Sequence, residues 1–264
     1  MKSVVHTLFL ETKLDLLSAL RTPGFVVPAV AFPVLLYLFF GIFMVQDKPQ
    51  SSVEISTYTM INYMVFGLMA PSLFNFGAHV AQERESGWLE LKLLSPMPTV
   101  YYLFAKSLSA VAFTVVISVL LFVFAWLLGG VQLDLLQLTA LLVLAVVGTV
   151  PFCLLGLTLG LKFTAKAASA ITNLVFLPMA MLSGLWLPIF LMPEFLQQFA
   201  WLLPSYHLSQ LGLACVGLGQ GYSGYFHFFA LLLMCLVFLM LAAFQYKKVG
   251  SHEKKASSLK KICI

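Results

Sequence analysis

Residues 57–98 read TYTMINYMVFGLMAPSLFNFGAHVAQERESGWLELKLLSPMP. The first 26 contain no Asp, Glu, Lys or Arg; Glu83 to Lys92 then carry five charges in ten positions, and Pro96 and Pro98 close the segment. As a helix, those 26 residues run about 39 Å at ~1.5 Å per residue, more than the ~30 Å of a hydrocarbon core. The stretch reads as a membrane-crossing helix that emerges from lipid into a segment both charged and greasy.

The rest of the chain agrees. Its 264 residues are 61% hydrophobic and 9% charged, with a mean hydropathy of +0.99. A water-soluble domain of this size has no means of hiding so much apolar surface, so lipid must be the solvent for most of it. Six runs are long enough to span, near 25–45, 57–82, 105–128, 135–161, 168–190 and 224–246. None alternates at period two, which argues against a membrane β-barrel. The expected fold is an all-α polytopic membrane protein with six transmembrane helices, organised as one domain over 1–264.

Glu11, Lys13, Asp15 and Arg21 precede the first apolar run, which does not fit a cleavable signal peptide. Leu8, Leu16 and Leu20, with Val4 and Val5, suggest that residues 1–24 form an amphipathic interfacial helix, turned into the first span at Pro23-Gly24. The alternative is a frayed basic N-terminus. Cys153, Cys215, Cys235 and Cys263 lack CxxC spacing and read as small apolar fillers.

Lysine and arginine set the orientation. Under the six-span reading, fourteen of the fifteen fall at the N-terminus, in the loop after span two with the foot of span three, in the loop after span four, and in the basic tail 247–264; only Lys48 falls opposite. Both termini are therefore expected in the cytoplasm. Residues 191–223 are apolar enough to suggest a seventh span, but that would export the six-lysine tail, and Pro188, Pro193 and Pro204 interrupt the run. With Glu194, these prolines suggest a re-entrant helical hairpin dipping in from the outer side; a plain extracellular loop is the alternative.

Several chemistries lack their residues. No Gly-Lys dipeptide occurs, so no Walker A phosphate cradle is present and ATP hydrolysis by this chain is not expected. No HExxH or G-x-S-x-G occurs, and the span centres carry no ionisable group of the kind ion-coupled carriers need. Asn75, His79 and Glu83 lie four residues apart on one helix face. Interhelical hydrogen bonding explains them more simply than a metal or proton site. Gly156-Leu-Thr-Leu-Gly160 permits close helix approach, within the chain or between chains.

In the opening segment, Ser86-Gly87 allows a bend, and Trp88 to Leu94 can form two helical turns with Glu90 and Lys92 set among leucines. Such a helix suits a groove on another protein better than open water. Glu83-Arg84-Glu85-x-Gly87, then Leu89, Leu93 and Ser95-Pro96, resembles the first cytoplasmic loop of the type-2 ABC transporter permeases. Arg21-x-Pro23 with Pro33 looks like that family's first-helix entry, and Met181-Leu-Ser-Gly184, Pro188, Pro193 and Leu203-Pro204 like its fifth span and outer hairpin. Trp88 departs from the smaller residue, such as Thr, that is commoner there.

The resemblance implies a cytoplasmic coupling helix between spans 2 and 3, in which Glu83, Arg84, Glu85, Gly87, Trp88, Leu89, Glu90, Leu93 and Pro96 meet an ATP-binding-cassette ATPase subunit. It also implies two ATPase copies, which bind the ATP and Mg, and a second permease copy as homodimer or heterodimer partner. This chain would hold no cofactor or metal and would sit in a bacterial cytoplasmic membrane, with no nucleic-acid partner. The cargo expected is amphipathic or lipid-like: a drug, a lipid or a lipid-linked glycan. A six-helix channel or assembly factor without ATPase coupling is the competing reading. An intramembrane lipid enzyme is a third, but the spans lack convergent catalytic groups.

Overall fold

The structure, a computed structural model, describes residues 2–45, 52–89, 91, 99–219 and 221–262. Every regular element among them is helical. In chain order they are α1 (Lys2–Leu20), α2 (Pro23–Val45), α3 (Ser52–Glu85), α4 (Thr99–Leu128), α5 (Leu135–Lys162), α6 (Ala165–Leu182), α7 (Glu194–Ala200), α8 (Pro204–Cys215) and α9 (Gly224–Ile262). Six of them, α2 to α6 and α9, are long and apolar enough to cross a membrane.

The centre of the bundle is α3. Of its most apolar window 78% is buried, against 50% for the next helix, α5, and 17% for α9. Apolar residues on all sides of α3, including Tyr63, Phe66 and Met69, pack against α2, α4, α5, α6 and α8. A helix hydrophobic all round belongs inside, and its neighbours shield it from lipid.

Local chemistry sets the helix ends. Asp134 and Gln137 form a capping box at the start of α5, with the Asp134 N–H donating to Gln137 Oε1 at 3.2 Å. Thr164 caps α6, accepting from the Ala167 N–H. At its far end α6 stops at Leu182 rather than running to 190 as hydropathy suggested. Gly184 takes φ +77°, and the N–H groups of Gly184 and Leu185 return to Met181 O and Ala180 O. That closure is a left-handed glycine stop, which apolar residues beyond it do not override.

Two helices carry π turns, Tyr37–Ile42 in α2 and Asn75–His79 in α3. The second is accommodated by glycine. A Cβ on Gly156 would lie 2.7 Å from Leu73 O, and one on Gly160 2.7 Å from Gly77 O. Thus the G-x-x-x-G of α5 receives the bulged backbone of α3 within the same chain.

Between α6 and α9 lie a 3₁₀ turn at Ile189–Leu191, then α7 and α8. Pro188 and Pro193 precede the turn and α7, Glu194 opens α7, and Pro204 opens α8. α8 is buried against α3, α5 and α9. Leu208 packs on Gly148, thirteen residues into α5, and Gly212 faces Ile61, nine residues into α3. At ~1.5 Å per residue these contacts lie roughly 14–20 Å below the helix ends. Ser209 donates to Asn62 Oδ1, and Ser183 and Ser205 share a hydrogen bond. His207 and His227 join α8 to α9 through their Nδ1 atoms at 2.9 Å, with His207 Nε2 donating to Trp201 O.

Candidate functional site

α3 ends at the lysine- and arginine-rich end of the bundle, and the residues there are engaged inward. Asn75 sits on the π turn, donating from Nδ2 to Asp15 Oδ2 at 3.1 Å and to the Lys106 carbonyl at 3.2 Å. His79 Nδ1 lies 3.3 Å from Asn75 Oδ1, which can only accept. One turn on, the Glu83 carboxylate accepts from the Tyr102 hydroxyl and from Lys106 Nζ, the latter at 3.2 Å. Lys106 reaches Asp15 Oδ1 at 2.8 Å. Three helices, α1, α3 and α4, thus meet at one ammonium.

Lys106 is 2% exposed, while Asp15 and Glu83 keep 13% and 23% of their side-chain surface. An ammonium so buried is tolerable only with paired carboxylates and hydrogen bonds around it. Burial alone would raise the Asp15 carboxyl, yet the neighbouring ammonium and the hydrogen bond from Asn75 hold it below its ordinary value of 3.8.

Arg84 faces a different helix. Its Nη2 donates to Phe163 O at 2.7 Å and its Nη1 to Leu161 O. Both carbonyls belong to the end of α5, where the last carbonyls lack intrahelical partners and the helix dipole favours a cation. Adjacent residues point about 100° apart on a helix, so Glu83 ties α3 to α4 and α1 while Arg84 ties it to α5.

Beyond these ties the chain turns outward. Glu85 is exposed, and Gly87 takes φ +78°, a conformation that a side chain would strain. The Leu91 N–H returns to Gly87 O at 3.1 Å, starting a helical turn. That turn presents Trp88 and Leu91, 61% and 62% exposed, while Leu89 is buried. Glu90, Leu93 and Pro96 lie outside the described residues.

Sequence reading did not reveal the buried triad. The reading places Lys106 at the foot of the third span, one residue past its start at 105, whereas α4 begins at Thr99 and sets Lys106 two turns inside a helix. A lysine within so apolar a helix was the available sign that counter-charges must converge on it.

A separate cavity of about 270 Å³ opens between α2, α3 and α6, lined by Phe25, Phe32, Phe66, Phe74, Phe176 and Asn173. Phe66 stacks on Phe176 at 5.2 Å and meets Trp186 edge-on at 5.8 Å.

Six apolar helices, five of them around the buried α3, with an aromatic segment presented at one end, define a multi-pass membrane protein. The chain belongs to the ABC-2 type transporter family, whose model matches residues 7–216. It is 28% identical over 188 residues to the protein named "Putative transport permease YvfS" of Bacillus subtilis (strain 168), covering 71% of this chain and 76% of that one. It is accordingly a membrane permease of an ABC transporter, a class that works with ATP-binding-cassette partners.

Proposed function

We propose that the chain is the permease subunit of an ABC exporter that moves an amphipathic or lipid-like cargo, with two copies pairing and two separate ATPase subunits supplying ATP and Mg. The observation that carries this reading is the exposed Trp88–Leu91 turn, set directly beyond the Glu83 and Arg84 ties to three other helices. A push on that turn moves no free loop; it moves the end of α3 and, through it, α1, α4 and α5. The lysine and arginine bias supports a cytoplasmic placement of this end and of both termini, and the Bacillus subtilis relative supports a bacterial cytoplasmic membrane.

On this reading α7 and α8 form a hairpin that enters the membrane from the outer side, supported by the depth of the Leu208 and Gly212 contacts. The phenylalanine-lined cavity between α2, α3 and α6 suits an apolar portion of the cargo. Exposed apolar residues of α1, among them Phe9, Leu14 and Leu17, suit a helix lying in the headgroup layer.

The test is reconstitution of the chain with its ATPase in proteoliposomes. Trp88→Ala is expected to leave the isolated chain's melting temperature unchanged while lowering co-isolation of the ATPase and cargo-stimulated ATP hydrolysis at least tenfold. Retained co-isolation and full transport in the variant would overturn the coupling role. Stimulation by small ions alone would overturn the cargo class.

A further inference from the structure

The lipid-facing side of α1 borders a second cavity. Leu16 and Leu20 of α1, Val27 and Val30 of α2, and Phe113 and Val116 of α4 line a groove of about 570 Å³ walled by apolar side chains alone. Its volume falls within the roughly 300–1,000 Å³ typical of ligand pockets. The groove opens sideways, with Val27, Val116 and Leu20 half-exposed or more. Water there would find no hydrogen-bond partner, so hydrocarbon is its natural filling.

Two cations of α1 stand close in sequence to its lining residues Leu16 and Leu20. Lys13 lies three residues before Leu16 and seven before Leu20, on the same helix face, and Arg21 follows Leu20 at the end of α1. Both are exposed, and neither forms an ion pair among the described residues. The acid between them, Asp15, is turned away to Lys106. The edge of an apolar slot is thereby left positive.

We propose that this groove is a specific lipid site, holding one acyl chain of an anionic glycerophospholipid whose phosphate is bound by Lys13 and Arg21. The choice of inner-leaflet lipid rests on the cytoplasmic placement of α1 proposed above. Occupancy would wedge α1 against α2 and α4 on the side opposite Asp15, making the seating of α1 sensitive to anionic lipid.

The full chain, purified in detergent and delipidated, is titrated with dioleoyl phosphatidylglycerol or dioleoyl phosphatidylcholine and read by native mass spectrometry. One phosphatidylglycerol per chain is expected to bind in preference to phosphatidylcholine. A cation near an anionic headgroup is worth roughly fivefold in binding, so combined Lys13→Gln and Arg21→Gln is expected to cost about 25-fold. Ala112→Trp, which fills the groove, is expected to remove the adduct. If that variant misfolds, the two exposed-site substitutions carry the test alone. Equal retention of both lipids, unchanged by the charge substitutions, would mean annular lipid only and overturn the proposal. So would a groove closed by a second copy, seen as a dimer that excludes lipid and dissociates in Ala112→Trp. Separately, labelling of Arg21→Cys by an impermeant maleimide from outside intact cells would overturn the cytoplasmic placement, and with it the inner-leaflet assignment, whatever the titrations give.

Discussion

Lys106→Met isolates the charge at the junction of α1, α3 and α4, because methionine keeps most of the apolar stem and removes only the ammonium. Two carboxylates, formerly 2.8 and 3.2 Å from Nζ, would then face each other in a site that admits little water. Removing one partner of a buried ion pair costs about 3–5 kcal/mol, whereas exposed pairs contribute about 0–1 kcal/mol. Asp15 and Glu83 retain 13% and 23% exposure, so some water reaches them and the low end applies, about 3 kcal/mol. Equilibrium unfolding of the purified chain in mixed micelles, titrated with a denaturing detergent, reads this directly. Adding Asp15→Asn to Lys106→Met relieves the repulsion, so the double variant should recover about 1–2 kcal/mol relative to Lys106→Met alone. A loss below about 1 kcal/mol, additive with Asp15→Asn, would show that the triad behaves as a solvated surface cluster and refute the reasoning.

Other perturbations probe the neighbouring contacts. Gly156→Val should cost at least about 3 kcal/mol, because its Cβ would meet the Leu73 carbonyl at 2.7 Å and backbone has little freedom to yield; Gly24→Ala, with nothing within 4 Å, should be neutral or about 0.5 kcal/mol stabilising. Thermal unfolding of the two variants checks the contrast. Arg84→Met should loosen the end of α5, seen as faster amide exchange over 159–165 and a loss of about 2 kcal/mol. The Asp15 carboxyl is depressed in the fold, so its contribution is fully present above its ordinary 3.8 and lost as pH falls through its lower folded value. Stability should therefore show no Asp15-linked change from pH 8 to 5, with the loss beginning below 3.8; in Lys106→Met, where burial raises the carboxyl with no ammonium to hold it down, the sign reverses and stability should rise as pH falls through the raised folded value.

The spans were legible because hydropathy over some twenty residues is a strong signal. The end of α6 was less so: Leu185 to Ile189 extend the apolar run, and only the left-handed Gly184 stops the helix. Asn75, His79 and Glu83 were visible as one face, and hydrogen bonding was the expected role. Their partners Asp15 and Lys106 were not visible, since pairing across 91 positions of sequence leaves no local pattern. Hydropathy also treats a lysine at the margin of a span as a boundary, which hides a lysine whose ammonium is folded inward.

Neighbouring charges at the end of α3 can serve a relay only because they diverge. Had Glu83 and Arg84 paired with each other, the end of the helix would be neutral and tied to nothing. Directed about 100° apart, they bind opposite kinds of partner: an ammonium and a phenol of α4 on one side, helix-end carbonyls of α5 on the other. Asp15 joins α1 through the same ammonium. The free surface that remains is Glu85 and the turn bearing Trp88 and Leu91, beyond the glycine at φ +78°. On the proposed coupling role, a four-helix attachment followed at once by an exposed aromatic turn beyond Gly87 would divide the labour: the ties would resist shear within the bundle, and the turn would meet the partner's surface. Weakening a tie and removing the contact should therefore separate experimentally. Glu83→Gln loses stability before partner binding, whereas Trp88→Ala loses partner binding with stability intact; if both variants failed in the same order, the two parts would have to be one.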